Sequence, residues 1–321
     1  MEEFEKIDIG RLMEKINHEL KKVIVEQEDL IELTLISLLS GGHVLLEGVP
    51  GLAKTLMVRA LSRTLTLDFK RVQFTPDLMP ADITGTKIFN MQLREFELTK
   101  GPIFTNFLLG DEINRTPPKT QAGLLEAMEE QTVSIDGEIH ELPSPYMVIA
   151  TQNPLEYEGT YPLPEALVDR FLMKIIIDYP SVAAESEVVK RHNMGFSSKD
   201  LAKSNIEAVC TAEDILKSRD IVQGIEVDDA LINYIVEIVT ETRKSRVIEI
   251  GSSPRGSVSL LQCSKACAAY NGRDFVIPED IKRMALPTLR HRIILKPELE
   301  LEGVKPDQVI GEILSKVEVP R

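Results

Sequence analysis

Along the first half of the chain, apolar positions gather into short, nearly continuous runs separated by longer stretches of helical spacing. The runs are "HVLLEG", "FKRVQF", "FTNFLLGDE", "YMVIATQNP" and "FLMKIIIDYP". Each reads as a strand covered on both faces, and the stretches between them as crossover helices. That pattern predicts a parallel sheet with a helical layer on either side. Two other runs, residues 87–98 ("KIFNMQLREFEL") and 132–142 ("TVSIDGEIHEL"), alternate apolar and polar positions instead. The second holds Asp136 and Gly137, a two-residue turn pair, so both are predicted to be β-hairpins standing out from the main sheet.

Beyond Tyr179 and Pro180 the character changes. Helical periodicity and capping signals continue, but no further sheet strand is predicted after Ala183. Thr211 with Asp214 has the spacing of a capping box. Pro254, Pro278 and Pro306 each stand where a helix can begin, and Asn271 with Gly272 stops the helix that carries Cys263 and Cys267. The chain is therefore divided into an α/β unit over residues 1–185 and an all-α unit over residues 186–321.

The length of 321 residues fits two domains, each large enough for its own core. Net charge is 37 − 51 = −14, which weighs against broad contact with a phosphate backbone. Three cysteines are too few, and odd in number, for a disulfide scaffold. Cys263 and Cys267 share a helix face with no histidine nearby in sequence, and read as small buried hydrophobes rather than metal ligands. The start, "MEEFEKIDIG", is acidic and has no signal-like apolar region, and no apolar run reaches membrane-spanning length. The cytoplasm is the expected compartment.

The chemistry gathers at the ends of the apolar runs. "LLEGVPGLAKTLMVRAL" nearly matches the phosphate-loop pattern G-x-x-x-x-G-K-[ST], with Ala53 in place of the second glycine. A strand running into Gly48, Val49, Pro50, Gly51, Leu52 and Ala53, then a helix from Lys54, Thr55 and Leu56, is the order such a loop needs. Backbone N–H groups and the helix N-terminus face the phosphates, Lys54 reaches the outer ones, and Thr55 can ligate Mg²⁺. Ala53 is expected to sit in a right-handed conformation that accepts a Cβ. "NFLLGDEINR" ends a second strand in Asp111 and Glu112, where Asp111 can serve the Mg²⁺ shell and Glu112 can polarise an attacking water. A third strand ends in "ATQNP", whose Asn153 can orient that water or contact the γ-phosphate.

These segments, together with "QFTPDLMPADITGT", "GPIFTNFLLGDEINRTPPKTQAGLLEAMEEQTVSIDG", "VIATQNPLEYEGTYPLPEALVDRF" and "SSPRG", resemble the MoxR family of AAA+ ATPases. The similarity runs from about Val25 to beyond Leu295. It implies a P-loop AAA+ core of three layers, α/β/α, with a C-terminal all-α lid, and a place in the helix-2-insert branch, whose two hairpins protrude into or near the central pore of a ring. The resemblance makes alanine ordinary before the loop lysine, so ATP binding is expected. Asn153 then matches the sensor 1 position. Arg170 matches the arginine finger that reaches a neighbour's γ-phosphate, and Arg255 the sensor 2 arginine that couples the lid. Val25 and Gln27 fall on the adenine-side motif, although Glu26 stands there in place of the usual glycine. Val168 also departs from the leucine of many relatives.

The resemblance implies Mg²⁺-dependent hydrolysis of ATP in a homo-oligomeric ring, a hexamer, driving chaperone-like remodelling of a protein client with a von Willebrand A-domain partner. Two other readings stay open: a nucleotide-gated regulatory module with negligible turnover, and a nucleic-acid motor, against which the net charge of −14 counts. Arg115 reads as an ordinary ion-pair partner as readily as a phosphate contact, and is left outside the catalytic set.

Overall fold

A computed structural model describes residues 7–154, 159–197 and 201–320. The acidic first residues and residues 155–158 of the "TQNPLEYEG" segment lie outside them. In chain order the strands are β1 (His43–Glu47), β2 (Phe69–Gln73), β3 (Gly85–Asn90), β4 (Glu95–Lys100), β5 (Phe107–Asp111), β6 (Thr132–Ile135), β7 (Glu138–Glu141), β8 (Met147–Gln152), β9 (Phe171–Ile176), β10 (Ile248–Ile250) and β11 (Ile294–Leu295).

Five of these form one parallel sheet in the order β2-β5-β8-β1-β9, and they are the five apolar runs. Because side chains alternate along a strand, each central strand feeds two cores. Val44, Leu46, Phe107, Leu109, Met147 and Ile149 enter one, while Leu45, Leu108, Val148 and Ala150 enter the other. Burial on both faces is what makes the runs continuous rather than alternating. β2 departs from that expectation. It is an edge strand in which Val72 alone is buried, and its exposed Lys70 and Arg71 guard the edge against pairing with another chain.

The first core is covered by helices α1 (Ile9–Lys21), α2 (Glu28–Leu39) and α3 (Lys54–Thr64) and continues into the C-terminal helices. α2 is apolar nearly all round because it packs against β1 and β9 and also against the Ala212–Gln223 and Pro254–Tyr270 helices. The second core lies beneath the two hairpins, β3–β4 and β6–β7. Asp136 and Gly137 take φ of 51° and 83°, the left-handed pair that a tight hairpin turn requires. Lys87 Nζ meets Glu138 Oε1 at 2.6 Å and ties the hairpins together. The β3–β4 hairpin leaves Met91, Leu93 and Phe96 exposed.

Thr211 and Asp214 form the expected capping box, and prolines 254, 278 and 306 each open a helix. Asn271 ends the Pro254–Tyr270 helix, and Gly272 follows at a φ of 70°. The helix Val182–Asn193, capped by the Ser181 hydroxyl, runs unbroken through residues 185 and 186, so the division expected there falls inside it. The C-terminal part is helical but not purely so, since β10 pairs antiparallel with β11. Runs of two or three residues are too short to show in the apolar pattern. All three cysteines are buried and free. Among the described residues, no helix is long and apolar enough to cross a membrane.

Candidate functional site

The carboxyl end of β1 leads into the loop of residues 48–53 and then into α3. Gly48 is required by space, since a Cβ there would lie 2.8 Å from the Ile177 carbonyl oxygen. Gly51 turns the chain at a φ of 90°. Ala53 then takes φ 58° and ψ 15°, a left-handed conformation and not the right-handed one its place before a helix suggested. The reason lies in the loop. Residues with positive φ swing successive N–H groups to one side and form an anion-binding concavity, and Ala53 contributes the last such turn before the helix. Lys54 opens α3 and its Nζ donates to the Gly48 carbonyl at 2.5 Å. Burial holds the Lys54 ammonium below the ordinary lysine range, against the opposing pull of Asp111, Glu47 and Glu112.

Asp111 closes β5 and Glu112 follows in a left-handed turn at φ 56°. Both carboxylates are held by neighbouring strands. Asp111 Oδ2 accepts from Arg71 Nε at 2.5 Å, and Oδ1 accepts from the Thr151 hydroxyl at 3.2 Å. The Glu112 N–H donates to the same Thr151 oxygen at 2.9 Å. Glu112 Oε2 accepts from Gln73 Nε2 at 2.8 Å and from Arg115 Nη1 at 3.1 Å. Arg115 is thus an ion-pair partner of Glu112. Asn153, buried just past the end of β8, completes the row of strand tips.

These groups line one cavity of about 760 Å³, a volume suited to a nucleotide. Gly48, Pro50, Gly51, Leu52, Ala53, Lys54, Thr55 and Leu56 form its floor, with Asp111, Glu112 and Asn153 at one end. Val25 and Gln27 lie along the same cavity, with Tyr179, Val188, His192 and Phe196. Glu26 follows the left-handed path a glycine would take, at φ 59°, and its carboxylate accepts from the Ser181 N–H at 2.9 Å. Val49 is not among the lining residues, and its side chain packs on the first core. The oxygen donors of Thr55 and Asp111 beside Lys54 fit a hard divalent ion such as Mg²⁺, which prefers such ligands and a phosphate oxygen.

Arg170 and Arg255 do not line this cavity. They meet each other's partners elsewhere. Arg170 Nε donates to Glu129 Oε2 at 2.9 Å and its Nη1 to the Ala166 carbonyl at 2.7 Å. Arg255 Nη2 donates to Glu129 Oε1 at 3.2 Å and Nη1 to Asp169 at 3.4 Å. Arg255, expected as the sensor 2 arginine, therefore stands beside Arg170, expected as the finger, and not beside its own chain's phosphate loop. The sequence reading also passed over Arg71, Gln73 and Thr151. Thr151 had a usable signal, since it stands at the carboxyl end of β8, two residues before Asn153, where ligands gather in a parallel sheet.

Comparison with known proteins agrees with this fold. Residues 43–173 match the model of the ATPase family associated with various cellular activities (AAA), and residues 240–313 that of the AAA lid domain. The chain is 48% identical over 312 residues to the uncharacterized protein YeaC of Bacillus subtilis, covering 97% of this chain and 95% of that one. It is 42% identical to the chaperone MoxR1 of Mycobacterium tuberculosis (96% and 82% covered) and 31% identical to the protein MoxR of Paracoccus denitrificans (88% and 88%). A crystal structure of a candidate ATPase from Cytophaga hutchinsonii superposes with a TM-score of 0.89 at 44% identity, covering 98% of this chain and 96% of that one.

Proposed function

Because the chain belongs to the MoxR family of AAA ATPases, we propose that it hydrolyses ATP with Mg²⁺ in a site completed by a neighbouring copy. One observation carries the reading: the loop amides, Lys54, Thr55, Asp111, Glu112 and Asn153 all line a single cavity at the carboxyl ends of β1, β5 and β8. Lys54 and the loop N–H groups neutralise charge on the outer phosphates. Thr55 and Asp111 would hold Mg²⁺, which when bound would supply further charge neutralisation there. Glu112 accepts the proton of the attacking water, and Asn153 positions that water.

Arg170 and Arg255 stand outside their own chain's cavity and yet belong to the family's nucleotide machinery, which supports a role in trans. A site shared head-to-tail between copies is closed most simply in a ring, and we assign a homohexamer. We assign the α/β unit, expected over residues 1–185, to nucleotide binding and the helical unit, expected over residues 186–321, to the lid, with the Val182–Asn193 helix spanning the join. The two hairpins, with exposed Met91, Leu93 and Phe96 on one of them, would contact a protein client, with a von Willebrand A-domain protein as adaptor. The chaperone name of the M. tuberculosis relative supports that remodelling role.

Glu112→Gln tests the chemical assignment. The amide keeps shape and hydrogen bonding but cannot accept the proton from water. ATP should stay bound while turnover falls strongly, measured by phosphate release and by equilibrium binding of a fluorescent ATP analogue. Wild-type turnover in this variant would move the base elsewhere.

A further inference from the structure

Glu129 stands where three separated segments meet. It lies in the last turn of the Leu125–Glu130 helix, directly before the β6–β7 hairpin. One oxygen, Oε2, accepts from Arg170 through Nε at 2.9 Å and also through Nη2, while Oε1 accepts from Arg255 Nη2 at 3.2 Å. Asp169 repeats the pattern one step further on. Its Oδ2 faces Arg255 Nη1 at 3.4 Å, and its Oδ1 accepts from Arg292 Nε at 3.0 Å. Arg292 is buried and tied to the Phe171 and Leu172 carbonyls, so the row is anchored in the fold at that end. Along it the charges alternate: Arg170, Glu129, Arg255, Asp169, Arg292.

Three cations and two anions leave the row one positive charge in excess, and the two arginines on Glu129 remain partly open, with 23% of the Arg170 side chain and 44% of that of Arg255 exposed. Two guanidinium groups repel and would drift apart if nothing stood between them. Exposed ion pairs of this kind add at most about 1 kcal/mol to stability, so the fold does not depend on the arrangement. What the arrangement does fix is where two long, flexible cations point.

We propose that Glu129 is a positioning residue: it gathers Arg170 and Arg255 onto one carboxylate and presents them as a two-armed receptor for the terminal phosphate of ATP bound by a neighbouring copy. This rests on the shared site proposed above. Glu129 touches neither substrate nor its own chain's cavity, and acts only through the two arginines. Its effect belongs to the subunit that donates the arginines, never to the subunit that holds the nucleotide.

That asymmetry provides the test. Arg170→Ala subunits keep a complete cradle, and Lys54→Ala subunits keep both arginines, so a mixture should regain turnover. Adding Glu129→Gln to the Lys54→Ala donor should lower the regained turnover, by roughly 2- to 150-fold for coupling within one ionic network. Adding it to the Arg170→Ala acceptor should leave the regained turnover unchanged. Equal loss on both sides, or loss on neither, would overturn the role of Glu129. If the parent mixture without Glu129→Gln regains nothing although labelled subunits exchange, the shared site itself fails instead. Thermal melting of Glu129→Gln and binding of the fluorescent ATP analogue should match the unsubstituted protein, which separates lost positioning from lost folding.

Discussion

At the scale of single residues, the phosphate loop turns on Ala53 and Lys54. A left-handed conformation costs an L-residue roughly 1–2 kcal/mol, which Ala53→Gly removes. Glycine's extra freedom in the unfolded chain offsets about 0.4–1 kcal/mol of that gain. Ala53→Gly should therefore raise the melting temperature modestly without weakening nucleotide binding, whereas the β-branched Ala53→Val should lower both. A lower melting temperature for the glycine variant would contradict the loop geometry. Lys54→Ala removes the cation buried among Asp111, Glu47 and Glu112, and binding of the fluorescent ATP analogue should be lost in a folded protein. Lys54, Asp111, Glu112 and Asn153 were legible because each ends a strand or opens a helix, and strand tips are where ligands gather in a parallel sheet. The conformation of Ala53 was not, since alanine suits a helix start equally well and only the turning loop forces it left-handed. Glu129 was hidden for another reason: its two partners lie 41 and 126 residues away.

At the scale of elements, His43 joins the sheet to the helix that carries Glu129. Its Nδ1 accepts from the Val148 N–H on β8 at 3.0 Å, which leaves the proton on Nε2 to donate to the Met128 carbonyl at 2.9 Å. Burial pushes the imidazole pKa down to about 4 from an ordinary 6.5, so the folded chain holds it neutral. Between those two values the unfolded chain binds the extra proton and the folded one does not. The contribution of His43 to stability is thus complete above pH 6.5 and is lost as pH falls toward 4. NMR of selectively labelled histidines should find a ring titrating near 4 that is absent in His43→Gln; if the resonance lost in that variant titrates near 6.5 instead, His43 is in contact with water. The five sheet strands and both hairpins were readable from periodicity, because burial on two faces or on one writes a different pattern. β2 shared the sheet but not the two-sided burial, and only its edge position explains its charged face. The β10–β11 ladder is held by tertiary placement of segments too short to carry a pattern.

At the scale of the molecule, one apolar core runs from the sheet through α1 and α2 into the C-terminal helices, so the lid is seated by shared packing rather than by a hinge alone. The nucleotide cavity opens on one part of this body, and Arg170 and Arg255 gather at another, on Glu129. That separation supports the proposed ring with active sites between copies; the meeting of Arg170 and Arg255 on one carboxylate was invisible to a reading of motifs one at a time. The most direct measurement is steady-state ATP turnover in a mixture of Arg170→Ala and Lys54→Ala proteins, after fluorescence-labelled subunits have been shown to exchange. A finger arginine is worth roughly 10³–10⁵ in rate, so each protein alone should be nearly inert. The mixture should recover activity, because a Lys54→Ala subunit lends its arginines to a neighbour with an intact cradle. Exchange without recovery, or loss of ATP binding in Arg170→Ala alone, would contradict a site completed by the neighbouring copy.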